Sequence, residues 1–380
     1  MQKTVRVHDI RKIHKSNNMN SIFKVFVRIL CLCICFWCIF LYQKGIIIRF
    51  RTSSIAGEIM EYTSGKYNYN VSVSKFDGVT ETRIVLNKMM EENNKTVISP
   101  HDYKYLINEE TICASNPFML VFIHTAPKNN IRRNMIRKTW GSVRSIKDYR
   151  IELIFLLGVA LNRSTNDDIV QESKQYHDII QENFIESYRN LTLKGIMGLK
   201  WTIDFCPHAT FILKTDDDVF VNIYPLFDYL LKINKDETGR HNLLGFIRPP
   251  QPPARKSNLN TATKEEYARD MYPPFCNGLA FIYSMSAVKA IYKASLYEPF
   301  FWIDDVFITG VLAEKAGVKH TQLKHKYPSY LLTSSDVTLN TLKGDKDRYL
   351  FVLIHDLQRF PSRMDDFWKI LRLNTTVDGQ

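Results

Sequence analysis

The chain has 380 residues, 45% hydrophobic and 24% charged, an ordinary globular mixture that excludes wholesale disorder and collagen-like structure and leaves room for two or three domains. The formal charge of +12 would suit a nucleic-acid partner, but residues 1–28 hold seven Lys/Arg against one acid, and Lys44, Arg49 and Arg51 add three cations, so residues 52–380 carry only about +3. With no RNA- or DNA-binding motif beside it, this terminal basicity argues against a nucleic-acid partner.

In chain order, residues 1–28 read as a basic cytoplasmic tail. Residues 29–48 (ILCLCICFWCIFLYQKGIII) contain one charge, Lys44, and at 1.5 Å per residue would span about 30 Å as a helix, enough to cross a hydrocarbon core. A long basic lead and the lack of a small-residue cleavage site after the apolar run predict a signal-anchor rather than a cleaved signal peptide. Positive-inside logic makes it a single-pass, type II membrane protein with everything after residue 48 lumenal. The sequons at Asn70, Asn94, Asn162, Asn190 and Asn374 all follow the span, as glycosylation in that topology requires. Beyond the span, Cys113, Cys206 and Cys276 would sit in an oxidising compartment with one bridge and one leftover thiol, and three pairings are open.

Residues 49–112 are polar and weakly periodic, the composition of a stem. From Cys113 onward, short apolar runs alternate with amphipathic ones: strands at Phe118–Ile123 and Ile151–Leu157, helices at Arg132–Trp140 and Tyr188–Phe205, then strand Phe211–Leu213 and helix Tyr224–Ile233. Strands Leu243–Ile247 and Leu279–Tyr283 and a helix over Val306–Ala316 follow. The alternation predicts an α/β domain, residues 113–380, around a mainly parallel sheet. Pro249-Pro250-Gln251-Pro252-Pro253 opens a long loop to about Tyr272.

Chemistry concentrates in Lys214-Thr215-Asp216-Asp217-Asp218-Val219-Phe220-Val221. Three adjacent carboxylates at a strand end repel one another, so their pKa values rise or a cation neutralises them. Asp216 and Asp218, on one side of an extended backbone, suit a hard divalent ion such as Mn²⁺ or Mg²⁺ that clamps a diphosphate; a solvated turn is the plain alternative. A phosphatase of the haloacid-dehalogenase type also begins with a strand and Asp-x-Asp, but Phe220 does not fit that pattern. A second pair, Asp304-Asp305, follows Phe300-Phe301-Trp302-Ile303. It could cap a helix, or, in an aromatic pocket, accept a proton from an attacking hydroxyl.

These motifs, with others in the same order, resemble the beta-1,3-glycosyltransferase family (glycosyltransferase family 31: galactosyl- and N-acetylglucosaminyltransferases) over some 250 residues. Arg133, Ile136, Arg137, Thr139, Trp140 and Gly141 match R-x-x-I-R-x-T-W-G, and Phe155–Gly158 resemble F-L-L-G. Asp178–Lys194, Lys214–Asn222 (KTDDDVFVN), Tyr272–Gly278 (YPPFCNG) and Asp304-Asp305-Val306 resemble four further family segments. The resemblance implies a GT-A fold, a UDP-sugar donor, Mn²⁺ dependence, inversion at the anomeric carbon and a Golgi membrane location. By the same resemblance, Asp216, Asp217 and Asp218, with His355 completing the shell, would hold the metal. Asp305 would be the general base with Asp304 beside it. Arg133, Arg137, Thr139 and Lys194 would lie near the donor, and Tyr272, Cys276, Asn277 and Gly278 would form a substrate loop.

Two departures bear on substrate. Lys256-Ser257-Asn258-Leu259-Asn260 stands where family members commonly carry a Trp, and Leu279-Ala280 stands where glycine-rich sequence is usual. The reading is a transferase moving a hexose, galactose first, onto a glycan of a glycoprotein, proteoglycan or glycolipid in beta-1,3 linkage. The alternatives are a UDP-GlcNAc or UDP-GalNAc donor, or an inert lumenal glycan-binding or folding-assistance protein on the same scaffold.

Overall fold

A computed structural model describes residues 46–51, 59–64, 67–72, 96–235, 242–256, 259–323, 330–331, 335–345, 347–354, 357, 359–360 and 362–372. Most of the expected membrane span, residues 29–45, lies outside the described residues, as do the tail, Asn94, Asn374 and His355. No helix among the described residues is long and apolar enough to cross a membrane. The chain divides into two compact units, Met1–Asn94 and Lys95–Gln380.

In the first unit, strands β1 (Ile46–Arg51), β2 (Ile59–Ser64) and β3 (Tyr67–Ser72) form an antiparallel meander. The end of the apolar run, Ile46–Ile48, thus begins a strand, and the sequon at Asn70 lies in β3. The polar composition expected for a stem hides three short stretches of branched and aromatic residues, the types that favour strands.

The second unit is built on a mixed sheet. Its strands are β4 (Tyr105–Ile107), β5 (Met119–His124), β6 (Ser145–Ile146), β7 (Tyr149–Val159), β8 (Ile179–Ile185), β9 (Phe211–Asp216), β11 (Asn242–Arg248), β12 (Phe275–Ser284) and β13 (Lys319–Gln322), while β10 (Val219–Val221) pairs outside it with Phe351–Leu353. The order is β13-β11-β12-β9-β5-β7-β8-β4, with β6 against β7. The centre β9-β5-β7-β8 is parallel, and β12 runs antiparallel between β9 and β11. The expected α/β class and parallel core are present. β4 pairs with β8 ahead of Cys113, so the folded unit takes in residues that composition assigns to the stem.

Every residue of β5 is buried, the pattern of a strand covered on both faces. Met119, Val121 and Ile123 face one core, with α1 (Asn130–Lys138), α4 (Ile223–Lys235) and α8 (Arg363–Arg372); Leu120 and Phe122 face the other, with α3 (Leu191–Phe205) and α5 (Met285–Ser295). A Cys113–Cys206 disulfide, Cα–Cα 5.2 Å, resolves the open pairing and leaves Cys276 free and buried. The helix expected from Val306 is wound as π-type turns over Asp305–Leu312 before an α-helical turn at Ala313–Ala316. Such widened turns are frequent at functional sites.

Candidate active site

The C-terminal ends of the central strands place the chemistry. Parallel pairing puts His124 of β5 beside Asp216 of β9, and antiparallel pairing puts Ala280 of β12 beside Thr215. Between these strand ends and the start of the π-type helix lies a cleft of about 230 Å³, lined by Asp216, Asp304, Asp305, Lys214 and Gly278 on its acidic part and by Tyr188, Trp302, Asn260 and Asn277 elsewhere.

Lys214 is buried under the carboxylates. Its Nζ donates to Asp216 Oδ1 (2.6 Å) and to the Gly278 carbonyl (2.5 Å). The Gly278 N–H in turn donates to Asp305 Oδ2 (3.2 Å), and the Val306 N–H donates to Asp305 Oδ1 (2.8 Å). A Cβ at Gly278 would stand 3.2 Å from Asp305 Oδ2 and 3.3 Å from its Cβ, close enough to press on that carboxylate. One buried ammonium therefore joins the first residue of the acidic triplet to the Asp304-Asp305 pair through the backbone of a single residue, Gly278.

Burial pushes the Asp216 carboxyl up to about 7; Lys214 opposes the shift, and Asp218 and Asp304 reinforce it. Asp305 is also raised to about 7, by burial first and then by Asp304, against the pull of the Val306 and Gly278 N–H groups and Lys214. Asp218 is raised by burial and by Asp217, with Arg132 opposing. The cleft thus holds more negative charge than Lys214 balances, the condition expected of a site that takes up a cation or a proton.

The three triplet members divide their work. Asp217 turns inward and accepts from the Thr125 hydroxyl (2.6 Å), Asn129 Nδ2 (2.8 Å) and Arg132 Nη1 (2.8 Å). Its oxygens are thereby engaged within the protein. Asp216 and Asp218 keep about a third of their side-chain surface exposed, 35% and 32%. Among the described residues no three His, Cys, Asp or Glu side chains group tightly enough to hold a metal ion. The two exposed, charge-stressed carboxylates nonetheless fit a Mn²⁺ or Mg²⁺ that draws its other ligands from water and substrate phosphate.

Arg133, Arg137, Thr139 and Lys194 do not line the cleft. Arg133 is fully buried, paired with both Glu172 oxygens and donating to the Ala126 and Pro127 carbonyls. Arg137 binds Asp178 through two nitrogens and Glu172 through a third, under the rings of Phe155 and Tyr176. Thr139 closes the end of α1 by donating to the Met135 carbonyl. Lys194 donates to the Thr125 carbonyl and pairs with Glu186. Arg133 and Lys194 both fasten the turn after β5, which carries the Thr125 and Asn129 groups that hold Asp217. They stand one layer behind the cleft, where a sequence motif cannot tell support from contact.

The expected substrate loop is mostly strand: Cys276, Asn277 and Gly278 belong to β12, where Ile247 pairs with Cys276. Tyr272 is buried and packs on Tyr267 and Phe301. Burial raises the Cys276 thiol above its usual value, with Asp305 adding to the shift. Of the sequons in this unit, Asn162 caps helix α2 (Arg163–Tyr176), accepting from Ser164, and Asn190 donates to the Ile185 carbonyl.

Sequence reasoning missed Lys214, Arg132, His124 and Tyr188 as site residues. Lys214 was legible as the residue two before Asp216 on the same face of a strand. His124 is buried with no hydrogen-bond partner for either ring nitrogen among the described residues, and Asp304 Oδ2 lies 3.9 Å from its Nδ1. Burial, then Lys214 and Lys194, hold that imidazole well below its usual pKa, in the neutral form.

A Galactosyltransferase family model matches residues 131–324. The chain is 37% identical over 222 residues to beta-1,3-galactosyltransferase 1 of Mus musculus and of Homo sapiens, covering 58% of this chain and 68% of each relative. It is 35% identical over 231 residues to beta-1,3-galactosyltransferase 5 of Gorilla gorilla gorilla, covering 60% of this chain and 76% of that protein. The matched region takes in the acidic triplet, the start of β12 and the Asp304-Asp305 pair.

Proposed function

The chain belongs to the beta-1,3-galactosyltransferase family, and on that premise we propose that it is an inverting, metal-dependent transferase moving galactose from UDP to a glycan hydroxyl in beta-1,3 linkage, on a scaffold of GT-A type. The observation that carries this reading is the linked pair of acidic centres: the buried Lys214 ammonium bonds Asp216 directly and the Gly278 carbonyl, and the Gly278 N–H bonds Asp305.

Asp305 is the general base. In its ionised form it takes the proton of the acceptor hydroxyl as that oxygen bonds to C1 of the donor sugar. The bond from C1 to the diphosphate oxygen breaks on the opposite face, and UDP leaves with the electron pair. The Gly278 and Val306 N–H groups orient the carboxylate for this role. Asp216 and Asp218 would hold the divalent cation, and Asp217, held by Thr125, Asn129 and Arg132, fixes the turn between them. When bound, Mn²⁺ or Mg²⁺ neutralises diphosphate charge and improves the leaving group.

The disulfide and the basic flank ahead of the apolar run support a type II protein of the Golgi membrane with its catalytic unit lumenal. The relatives' names favour galactose, while the Asp304-Asp305 pair resembles the N-acetylglucosaminyltransferase branch and makes UDP-GlcNAc the second donor to try. The test is transfer by the full chain in detergent, offered UDP-Gal, UDP-GlcNAc and UDP-GalNAc with Mn²⁺ or EDTA and Gal-, GlcNAc- and Xyl-terminated acceptors. Turnover of one donor that EDTA abolishes is the expected result. Folded protein that binds UDP with Mn²⁺ but loses no activity on Asp305→Asn would overturn the assignment of the base.

A further inference from the structure

The acidic part of the cleft accounts for the donor and the base but leaves unused the part lined by Tyr188, Trp302, Asn260 and Asn277. These come from three separate segments: the turn before α3, the approach to the Asp304-Asp305 pair, and the loop and strand that flank Tyr272. Two aromatic rings and two carboxamides are the complement of a neutral sugar, whose C–H face packs on a ring and whose hydroxyls need groups able both to donate and to accept. Resting on the transferase reading above, we propose that Tyr188, Trp302, Asn260 and Asn277 form the subsite for the terminal sugar of the acceptor, with Tyr188 as its stacking platform.

Three observations assign the subsite to acceptor rather than donor. Trp302 lies two and three residues before Asp304 and Asp305, so its ring is tied to the base and not to the acidic triplet. The Tyr188 ring stands 6.1 Å from that of Trp302, beside the base, and its hydroxyl is raised by burial first, then by Asp304 and Asp305, then by Asp216. The four residues bring no cation of their own, as a diphosphate would require. Tyr188 is 54% exposed at the mouth of the cleft and Trp302 only 5%, their ring centroids 6.1 Å apart, with Arg189 lying over the Trp302 ring at 4.4 Å. Trp302 is the fixed wall, and Tyr188 offers the accessible ring.

The same residues carry selectivity. The Tyr188 hydroxyl donates to Asn260 Oδ1 (2.8 Å), and Arg189 pairs with Glu266 (2.6 Å), fastening the loop after the proline-rich stretch to the turn before α3. That loop is internally tied: Arg255 donates to the carbonyls of Ala262, Thr263, Tyr267 and Arg269. A self-braced loop that delivers Asn260 to the subsite selects acceptors by its own sequence, and it is the segment where this chain departs from the family pattern.

The test uses the full chain in a detergent lacking a sugar headgroup. Methyl β-galactoside, methyl β-N-acetylglucosaminide and methyl α-N-acetylgalactosaminide are titrated by saturation-transfer NMR with UDP and Mn²⁺ present, and UDP is titrated separately. One glycoside should bind the wild type, Tyr188→Ala should weaken it roughly tenfold, and Tyr188→Phe, which keeps the ring, should weaken it no more than about threefold, with UDP affinity unchanged in both. Equal glycoside affinity in wild type and Tyr188→Ala overturns the subsite, as does a wild type that binds UDP but no glycoside. A wild type that binds a glycoside through Tyr188 but no UDP sinks the transferase reading and leaves the sugar subsite standing.

Discussion

The molecule buries two clusters of charge within one unit, and they solve the same electrostatic problem in opposite ways. Behind the turn after β5, Arg133 and Arg137 face Glu172 and Asp178, two cations against two anions, with every distance at hydrogen-bond length. In the cleft, Lys214 alone faces Asp216, Asp304 and Asp305, and His124 beside them stays neutral. Balanced charge needs no visitor and makes a fixed brace. Burial, with charge left unbalanced beside it, raises the carboxyls toward neutral pH and prepares a site for a cation and a proton. Identity of residue does not separate the two cases, since aspartates of recognisable motifs occur in both.

That contrast can be broken by experiment. The largest effect expected is on Asp305→Asn, which should lower kcat by about 10²–10⁴-fold while UDP binding is retained; single-turnover transfer and a UDP titration check it together. Arg137→Ala, on the balanced side, should cost about 3–5 kcal/mol of stability because Asp178 is left buried without its partner. Denaturant unfolding measures this, and a loss of UDP affinity at unchanged stability would instead move Arg137 into the nucleotide site. Asp218→Asn should weaken Mn²⁺-dependent UDP binding by roughly 10–100-fold, read by calorimetry.

The pH dependence sharpens the same distinction. A base works as its anion, so kcat/KM should fall about tenfold per unit as pH drops below about 7, the value to which Asp305 is raised. Protons also compete with the cation for Asp216, so Mn²⁺ affinity should decline over the same range, whichever buffer is used. The smallest effect belongs to a third kind of pair. Arg269–Glu314 is half exposed on both sides, 48% and 49%, and Arg269→Ala should change stability by no more than about 1 kcal/mol.

The parts legible in the sequence were those with strong local patterning. β5, β7, β9 and β11 are apolar runs bounded by polar turns, and α3 and α4 show clear periodicity; each appears within a few residues of its expected place. α2 was not legible because it buries only Ile169 and Ser173 of its fourteen residues, and β8 was hidden by Gln181 and Glu182 in its middle. In the site, Asp216, Asp304 and Asp305 could be found as carboxylates set among apolar and aromatic residues. The inward turn of Asp217 could not, because it depends on Thr125, Asn129 and Arg132, some ninety residues earlier in the chain. Sequence separation likewise hides His124 from Asp304 and Tyr188 from Asn260, which the packing of loops and turns over the strand ends brings together.

Cys276 offers a last consequence. It lies in β12, the strand that also lends Asn277 and Gly278 to the cleft, packed where a Cβ on Gly245 would stand 2.8 Å from its sulfur, and burial keeps it a thiol. The other two cysteines of the second unit, Cys113 and Cys206, are joined to each other. The unit therefore contains one sulfhydryl that an alkylating reagent reaches only when the central sheet opens. Its rate of labelling is a built-in clock for that opening, readable by mass spectrometry without any engineered probe. Donor binding that braces the cleft would slow the clock, even for a sugar nucleotide the protein holds but does not turn over.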